Sequence, residues 1–264
     1  MQHPWFIATL LLAACVGNVG AAPCAADDDT HVTGVSQCLL MRRFGSAEPK
    51  TMIVWLHGDV SSGGPATYHF QYAKKAADTF AAANVMSIAL VRPGYPDDSG
   101  ESSGVDPTEN RRFDHYTAQN VGEVGAAIER LRLKYNPASV IIVGHSGGAA
   151  TAAILLGMKP QLAEAAVLVS CPCDLVAWRS GRRAWSRSED PMHWADKVSP
   201  SARVVALTGS SDQNTSTELA KAYVEALRAR GIDATFEAVR FASHDSAFRV
   251  SEVTDAVANL LRRP

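Results

Sequence analysis

The chain has 264 residues, a formal net charge of −2 and a hydrophobic content of 47%. That is enough apolar material for one large α/β domain with a sizeable core, and no shift in composition divides it in two. With no excess of lysine and arginine to neutralise phosphates, nucleic acid and anionic surfaces are excluded as general partners.

The N-terminal run "WFIATLLLAACVGNVGAA" (5–22) is apolar but too short and weakly flanked for a stable membrane span. The small residues at its end suit signal peptidase, so 1–21 is expected to be a removable signal peptide. The tetrapeptide "LAAC" (12–15) resembles a bacterial lipobox, whose cysteine, here Cys15, would carry a lipid. Only then would the chain meet a membrane. Either way the chain is exported, to the periplasm or beyond. Beyond residue 21 stand Cys24, Cys38, Cys171 and Cys173, an even number with three possible connectivities, as an oxidising compartment favours. No C-x-x-C pair and no histidine at ligand spacing accompany them, so no metal site is expected.

After this leader, "TMIVWLHG" (51–58) predicts a buried strand running into a loop. Residues 66–84 have helical spacing and stop near Asn84, and "VMSIALVRPGY" (85–95) is the next strand, closed by Pro93 and Gly94. Turn formers dominate 96–107, a loop long enough to carry function. A helix over 117–135 places Val121, Val124, Ile128 and Leu131 on one face. "SVIIV" (139–143) is β-branched and continuous, as a strand buried on both faces should be, and "GGAATAAILLG" (147–157) reads as the helix that follows. Next come the strand "AAVLVSC", an irregular segment, the strand "RVVALTG" (203–209) and a helix closed by Gly231. The half-buried strand "ATFEAVRF" and a last helix with Val250, Val253, Val257 and Leu260 in period complete the chain. Strands alternating with helices predict a mostly parallel central sheet with helices on both faces. Residues 22–264 are expected to form one domain, with a small lid-like insertion at about 174–200.

Between the third predicted strand (139–143) and the helix that follows it stands Gly144-His145-Ser146-Gly147-Gly148. This is the G-x-S-x-G pattern, in which a serine on a sharp strand-to-helix turn needs glycine two residues before and after it, where Cβ atoms have no room. A hydroxyl nucleophile needs a base and an orienting acid, in the chain order serine, acid, histidine. Asp212 follows the strand "RVVALTG" and His244 follows "ATFEAVRF", both past strand carboxyl ends where sites in parallel sheets lie. Ser146, His244 and Asp212 are therefore the candidate nucleophile, base and acid, with Asp174 an alternative acid. Asp245 is expected to face away. Candidate oxyanion donors are the backbone N–H of Gly147 and that of Asp59 or Val60 in the loop after "WLHG". His57 is expected to hold that loop, and His145, beside the elbow, to line the pocket. His69, His115 and His193 have no motif around them and read as ordinary polar residues.

Six segments, "WLHG", "RPGYPDDSG", "NPASVIIVGHSGG", "DPMHWADKV", "RVVALTGSSD" and "FASHD", occur in an order that resembles the α/β-hydrolases of the dienelactone hydrolase and prolyl-oligopeptidase catalytic-domain group. The resemblance spans about 51–264. It implies the α/β-hydrolase fold, a serine-hydrolase mechanism and no cofactor, and leaves the substrate open. Two departures matter. Nothing before residue 51 is long enough for the propeller of the oligopeptidases, and Ser146 stands where dienelactone hydrolases carry cysteine. An esterase acting through an acyl-enzyme is therefore expected ahead of a small-peptide or aminoacyl amide hydrolase, with a non-catalytic binding protein of the same fold as a third reading. The expected partner is a small-molecule ester or short peptide. The lid segment 177–194, with its arginines and tryptophans, reads first as a solvated arginine face over ordinary aromatic packing; the alternative is that Trp178, Trp185 or Trp194 lines an acyl pocket and an arginine receives a substrate carboxylate.

Overall fold

The computed structural model describes residues 22–103 and 113–262. The expected signal peptide, with Cys15 and its lipobox alternative, lies outside the described residues, as does the 104–107 part of the long loop. The strands are β1 (His31–Thr33), β2 (Cys38–Gly45), β3 (Thr51–Leu56), β4 (Val85–Leu90), β5 (Ser139–His145), β6 (Ala165–Val169), β7 (Arg203–Gly209) and β8 (Asp233–Val239). The helices are α1 (Phe70–Thr79), α2 (Ala118–Tyr135), α3 (Gly147–Met158), α4 (Leu175–Trp178), α5 (Pro191–Trp194), α6 (Thr217–Arg228) and α7 (Ser251–Arg262). All eight strands form one sheet in the order β1-β2-β4-β3-β5-β6-β7-β8. The pairs β1–β2 and β2–β4 are antiparallel, and every pair from β4 to β8 is parallel.

The central strands are apolar on both faces because each face carries its own core. Met52, Val54 and Leu56 of β3 join α2, α3 and α6 on one side, while Ile53 and Trp55 join α1 and α7 on the other. Helix α3 is buried all round from Gly147 to Gly157, which is why its sequence is apolar without a polar stripe. The glycine-flanked turn at Ser146 therefore leads into the most enclosed helix, at the carboxyl end of a central strand.

Periodicity predicts no strand before residue 51, yet β1 and β2 are there. β1 is three residues long, too short to show a period. In β2, Leu39, Leu40 and Met41 are buried in succession, while Arg42 and Arg43 reach out to Asp97 and Asp29. It matches neither strict alternation nor a closed apolar run. The first helix is also shorter than predicted. α1 ends at Thr79 and a 3-10 turn over Ala81–Ala83 carries the chain to Asn84, whose left-handed φ of 56° stops it. The two disulfides are Cys24–Cys38, which ties the residues before β1 to β2, and Cys171–Cys173, just past β6. Among the described residues no helix is long and apolar enough to cross a membrane.

Candidate active site

Ser146 lies between β5 and α3 with φ 51° and ψ −118°, a left-handed conformation that non-glycine residues rarely adopt and that clusters at functional sites. Its amide donates to the Val169 carbonyl at 2.8 Å, and its own carbonyl accepts from Ala149 and Ala150 at 2.9 and 3.0 Å. The turn is sharp enough that a Cβ on Gly144 would collide with the Gly148 carbonyl, and one on Gly148 with that of Leu56. The two glycines are a steric requirement of the elbow. Held there, Ser146 caps the N-terminus of α3, where unpaired amides and the helix dipole favour negative charge.

The structure brings the three spaced residues together. His244 Nε2 is 2.9 Å from Ser146 Oγ, and His244 Nδ1 is 2.9 Å from Asp212 Oδ2. Asp212 has no exposed side-chain surface, against 19% for His244. Its Oδ1 accepts the amides of Asn214 and Thr215 at 2.9 Å each, and Thr215 Oγ lies 2.8 Å from Oδ2. Burial opposes ionisation of this carboxyl, but hydrogen bonds from His244 and Thr215 outweigh it and hold its pKa down to about 2. An ionised Asp212 can only accept, so Nδ1 of His244 carries the proton and Nε2 presents its lone pair to Ser146.

His145 is tied in from the other side. Its Nε2 is 3.0 Å from the His244 carbonyl and its Nδ1 is 2.8 Å from Tyr68 Oη, which in turn accepts the Gly58 amide at 2.5 Å. Read by donor and acceptor, the chain runs from the Gly58 N–H through the Tyr68 hydroxyl to a neutral His145, whose Nε2–H supports the loop bearing His244. Burial pushes the His145 pKa down to about 4, helped by the nearby His244. In the loop after β3, His57 Nδ1 bonds the Gly58 carbonyl at 2.7 Å and its Nε2 accepts the Arg92 amide at 2.9 Å. The Asp59 side chain is held by the guanidinium of Arg92, by Tyr116 Oη at 2.6 Å and by Tyr95 Oη at 3.2 Å. That carboxylate lies against Gly147, where a side chain would collide with it. Arg92, 3% exposed, stays charged despite burial because Tyr95, Asp59 and Tyr116 surround it.

A cavity of about 540 Å³ opens over Ser146 and His244 and includes Gly58, Asp59, Val60, His145 and Trp178, a volume suited to a small molecule. Trp185 joins Trp178 in its wall. Trp194 does not; it packs on α3 at Gly157 and donates to Glu189 at 3.0 Å. Asp174 caps α4 through the Ala177 amide at 2.8 Å. Asp245 corrects the expectation that it faces away, since it lines the cavity beside His244. The two residues are not in a strand, whose neighbours alternate sides; the chain is already helical at Asp245 and enters the 3-10 turn Ser246–Phe248.

His145, His244 and Asp245 place one ligand atom each within 4.8 Å of one another. Both ring nitrogens of each histidine are already engaged by protein groups, which leaves no imidazole lone pair directed at a shared ion. Thr215, Tyr68 and Arg92 are the site residues that the sequence did not single out. Arg92 did leave a signal, as a lone charge following the apolar run of β4.

The buried histidines give the fold an acid limit. His69 is fully buried, its Nε2 3.1 Å from the Leu90 carbonyl, and burial lowers its pKa to about 3. For both His69 and His145 the folded pKa lies below the ordinary 6.5. The unfolded chain therefore binds the extra protons first, and stability present above pH 6.5 is lost as the pH falls towards 4 and below. Urea unfolding at pH 7 and pH 5 should show a drop of about 2–4 kcal/mol, and His69→Gln should remove roughly half of it. An unchanged pH dependence in that variant would exclude His69 as a source.

No family model matches the sequence, and no curated protein matches it. Solved structures do match in shape. An esterase of Pyrococcus furiosus gives a TM-score of 0.66 at 12% identity, covering 92% of this chain and 98% of that one. Est1E of Butyrivibrio proteoclasticus, solved with ferulic acid bound, gives 0.66 at 14% identity over 88% of this chain and 97% of that one. An acylaminoacyl peptidase of Pyrococcus horikoshii gives 0.69 at 14% identity over 88% of this chain, which spans only 40% of the peptidase's length. The likeness is one of fold, and the chain has the α/β-hydrolase fold that its sequence resembles.

Proposed function

We propose that this chain is an exported serine hydrolase that cleaves a carboxylic ester through an acyl-enzyme, with residues 22–264 as one catalytic domain. The observation that carries it is the continuous contact from Asp212 through His244 to Ser146 at the floor of an open cavity. Ser146 Oγ attacks the acyl carbon while His244 Nε2 takes its proton. Asp212 holds the imidazole tautomer and stabilises the imidazolium. The tetrahedral oxyanion is received by the amide of Gly147, at the start of α3, and by that of Asp59 or Val60. His244 then returns the proton to the leaving alkoxide. Water, activated by the same imidazole, releases the acid, and the cycle needs no cofactor.

Esterases of similar fold support ester cleavage, and the acylaminoacyl peptidase of similar fold keeps amide cleavage as the second reading. Export is supported by the apolar leader and by the two disulfides, which persist where the surroundings are oxidising. The test is a fluorophosphonate probe, which needs an activated serine and little substrate specificity. Native protein should label, and Ser146→Ala and heat-denatured protein should not. A folded wild type that stays unlabelled would favour the non-catalytic binding protein. Comparable turnover of aminoacyl amides and simple esters would favour the peptidase.

A further inference from the structure

The lid segment that follows Cys173 places two arginines and two tryptophans in the wall of the Ser146 cavity. Arg179 is the best held. Its Nε donates to the Arg183 carbonyl at 3.0 Å, and its guanidinium carbon lies 5.2 Å from the Trp178 ring centroid and 5.3 Å from that of Trp185. Those rings meet edge to face at 5.0 Å. Trp178 Nε1 donates to the Asn214 carbonyl at 2.8 Å, which ties the lid to the loop that carries Asp212. Trp185 stacks edge-on against Tyr116, whose hydroxyl holds Asp59. The guanidinium is thus fixed by aromatic faces, not by a counter-ion.

Among the described residues, no carboxylate lies within ion-pair distance of Arg179 or Arg182. The Arg182 amide donates to the Arg179 carbonyl at 2.9 Å, so the two cations are kept close. Partial burial and then the charge of Arg182 lower the Arg179 pKa, the sign of a cation whose neighbour repels it. Two carboxylates share the cavity wall, but Asp59 is neutralised by Arg92 and Asp245 sits against His145 and His244. Among the described residues, the lid end of the cavity therefore carries positive charge with no carboxylate paired to it. The guanidinium of Arg179, held over indole faces, matches the planar, two-oxygen geometry of a carboxylate.

Building on the serine-hydrolase reading above, we infer that the substrate is an ester bearing a carboxylate, which the lid arginines Arg179 and Arg182 receive while Ser146 faces the ester carbonyl. The carboxylate is bound and is not a reacting group. Its effect falls on KM and on kcat/KM.

Two matched ester pairs test this. Phenyl hydrogen succinate against methyl phenyl succinate puts the charge in the acyl part, and 4-acetoxybenzoate against its methyl ester puts it in the leaving group. In at least one pair the anionic ester should have about tenfold or higher kcat/KM, mostly through KM, as a charge-assisted bidentate contact provides. That ratio should fall towards one in Arg179→Gln/Arg182→Gln and shrink as salt is raised. No preference in either pair, or one that survives the double substitution, would overturn the inference. Calorimetric titration of Ser146→Ala with the same four esters reads the anion preference independently of turnover. If nothing is hydrolysed and the fluorophosphonate fails to label, the serine-hydrolase reading falls; the inference about the lid stands or falls separately on whether the anionic esters bind more tightly than the neutral ones.

Discussion

Ser146→Ala should lower kcat by on the order of a millionfold, and His244→Ala by a similar factor, while the two together cost little more than either alone. The non-additivity follows from geometry. Nε2 of His244 is 2.9 Å from Ser146 Oγ, so the base has no task without the hydroxyl and the hydroxyl no activation without the base. Asp212→Asn should cost less than loss of the serine but still several orders of magnitude, because an amide at that place no longer selects the tautomer with a proton on Nδ1. Steady-state kinetics of the three single variants and the double variant decides this. Strictly multiplicative losses for Ser146 and His244 would mean that they do not act as one unit.

Arg92→Met should be the most destabilising of the single substitutions near the site, by about 3–5 kcal/mol, since removing one member of a buried ion pair leaves the other charge uncompensated. Arg92 and Asp59 side chains are only 3% and 10% exposed, and Asp59 would keep two tyrosine hydroxyls but lose its counter-ion. For a domain of this size the loss corresponds to a fall in Tm on the order of 10 °C. Adding Asp59→Asn should recover part of it by removing the orphaned charge. A double variant no more stable than Arg92→Met would show that packing of the long side chain, not charge, is what Arg92 supplies. The same substitution should weaken catalysis, because Asp59 lies in the loop offered above for the oxyanion and its carboxylate rests on Gly147.

Much of the architecture was legible in one dimension because it rests on local rules. The buried strands from β3 onward show as β-branched or apolar runs, and the helices between them show as 3.6-residue periods. The elbow is legible for a steric reason: Gly144 and Gly148 stand where a Cβ would meet backbone, so the requirement is written directly in residue types. Asp212 and His244 are legible from their place after strand ends, a consequence of how parallel sheets present their loops. β1 and β2 were not, since a three-residue strand has no period, and in β2 three successive buried residues followed by arginines reaching to acids break the pattern.

What only the tertiary structure decides is which side chains meet across the sheet. Tyr68 joins the Gly58 amide to His145 through contacts spanning up to 77 positions of the chain, and Arg92 reaches Asp59 from a different strand end. The cysteine pairing belongs to the same class: four cysteines allow three pairings, and the fold brings Cys24 to Cys38 and Cys171 to Cys173. Asp245 lines the cavity beside His244, because the chain has left the strand there and is already helical. The residue types that chemistry needs are set locally by sterics and by loop position. The partners that orient and charge them are set by chain crossings, which leave no period in the sequence to read.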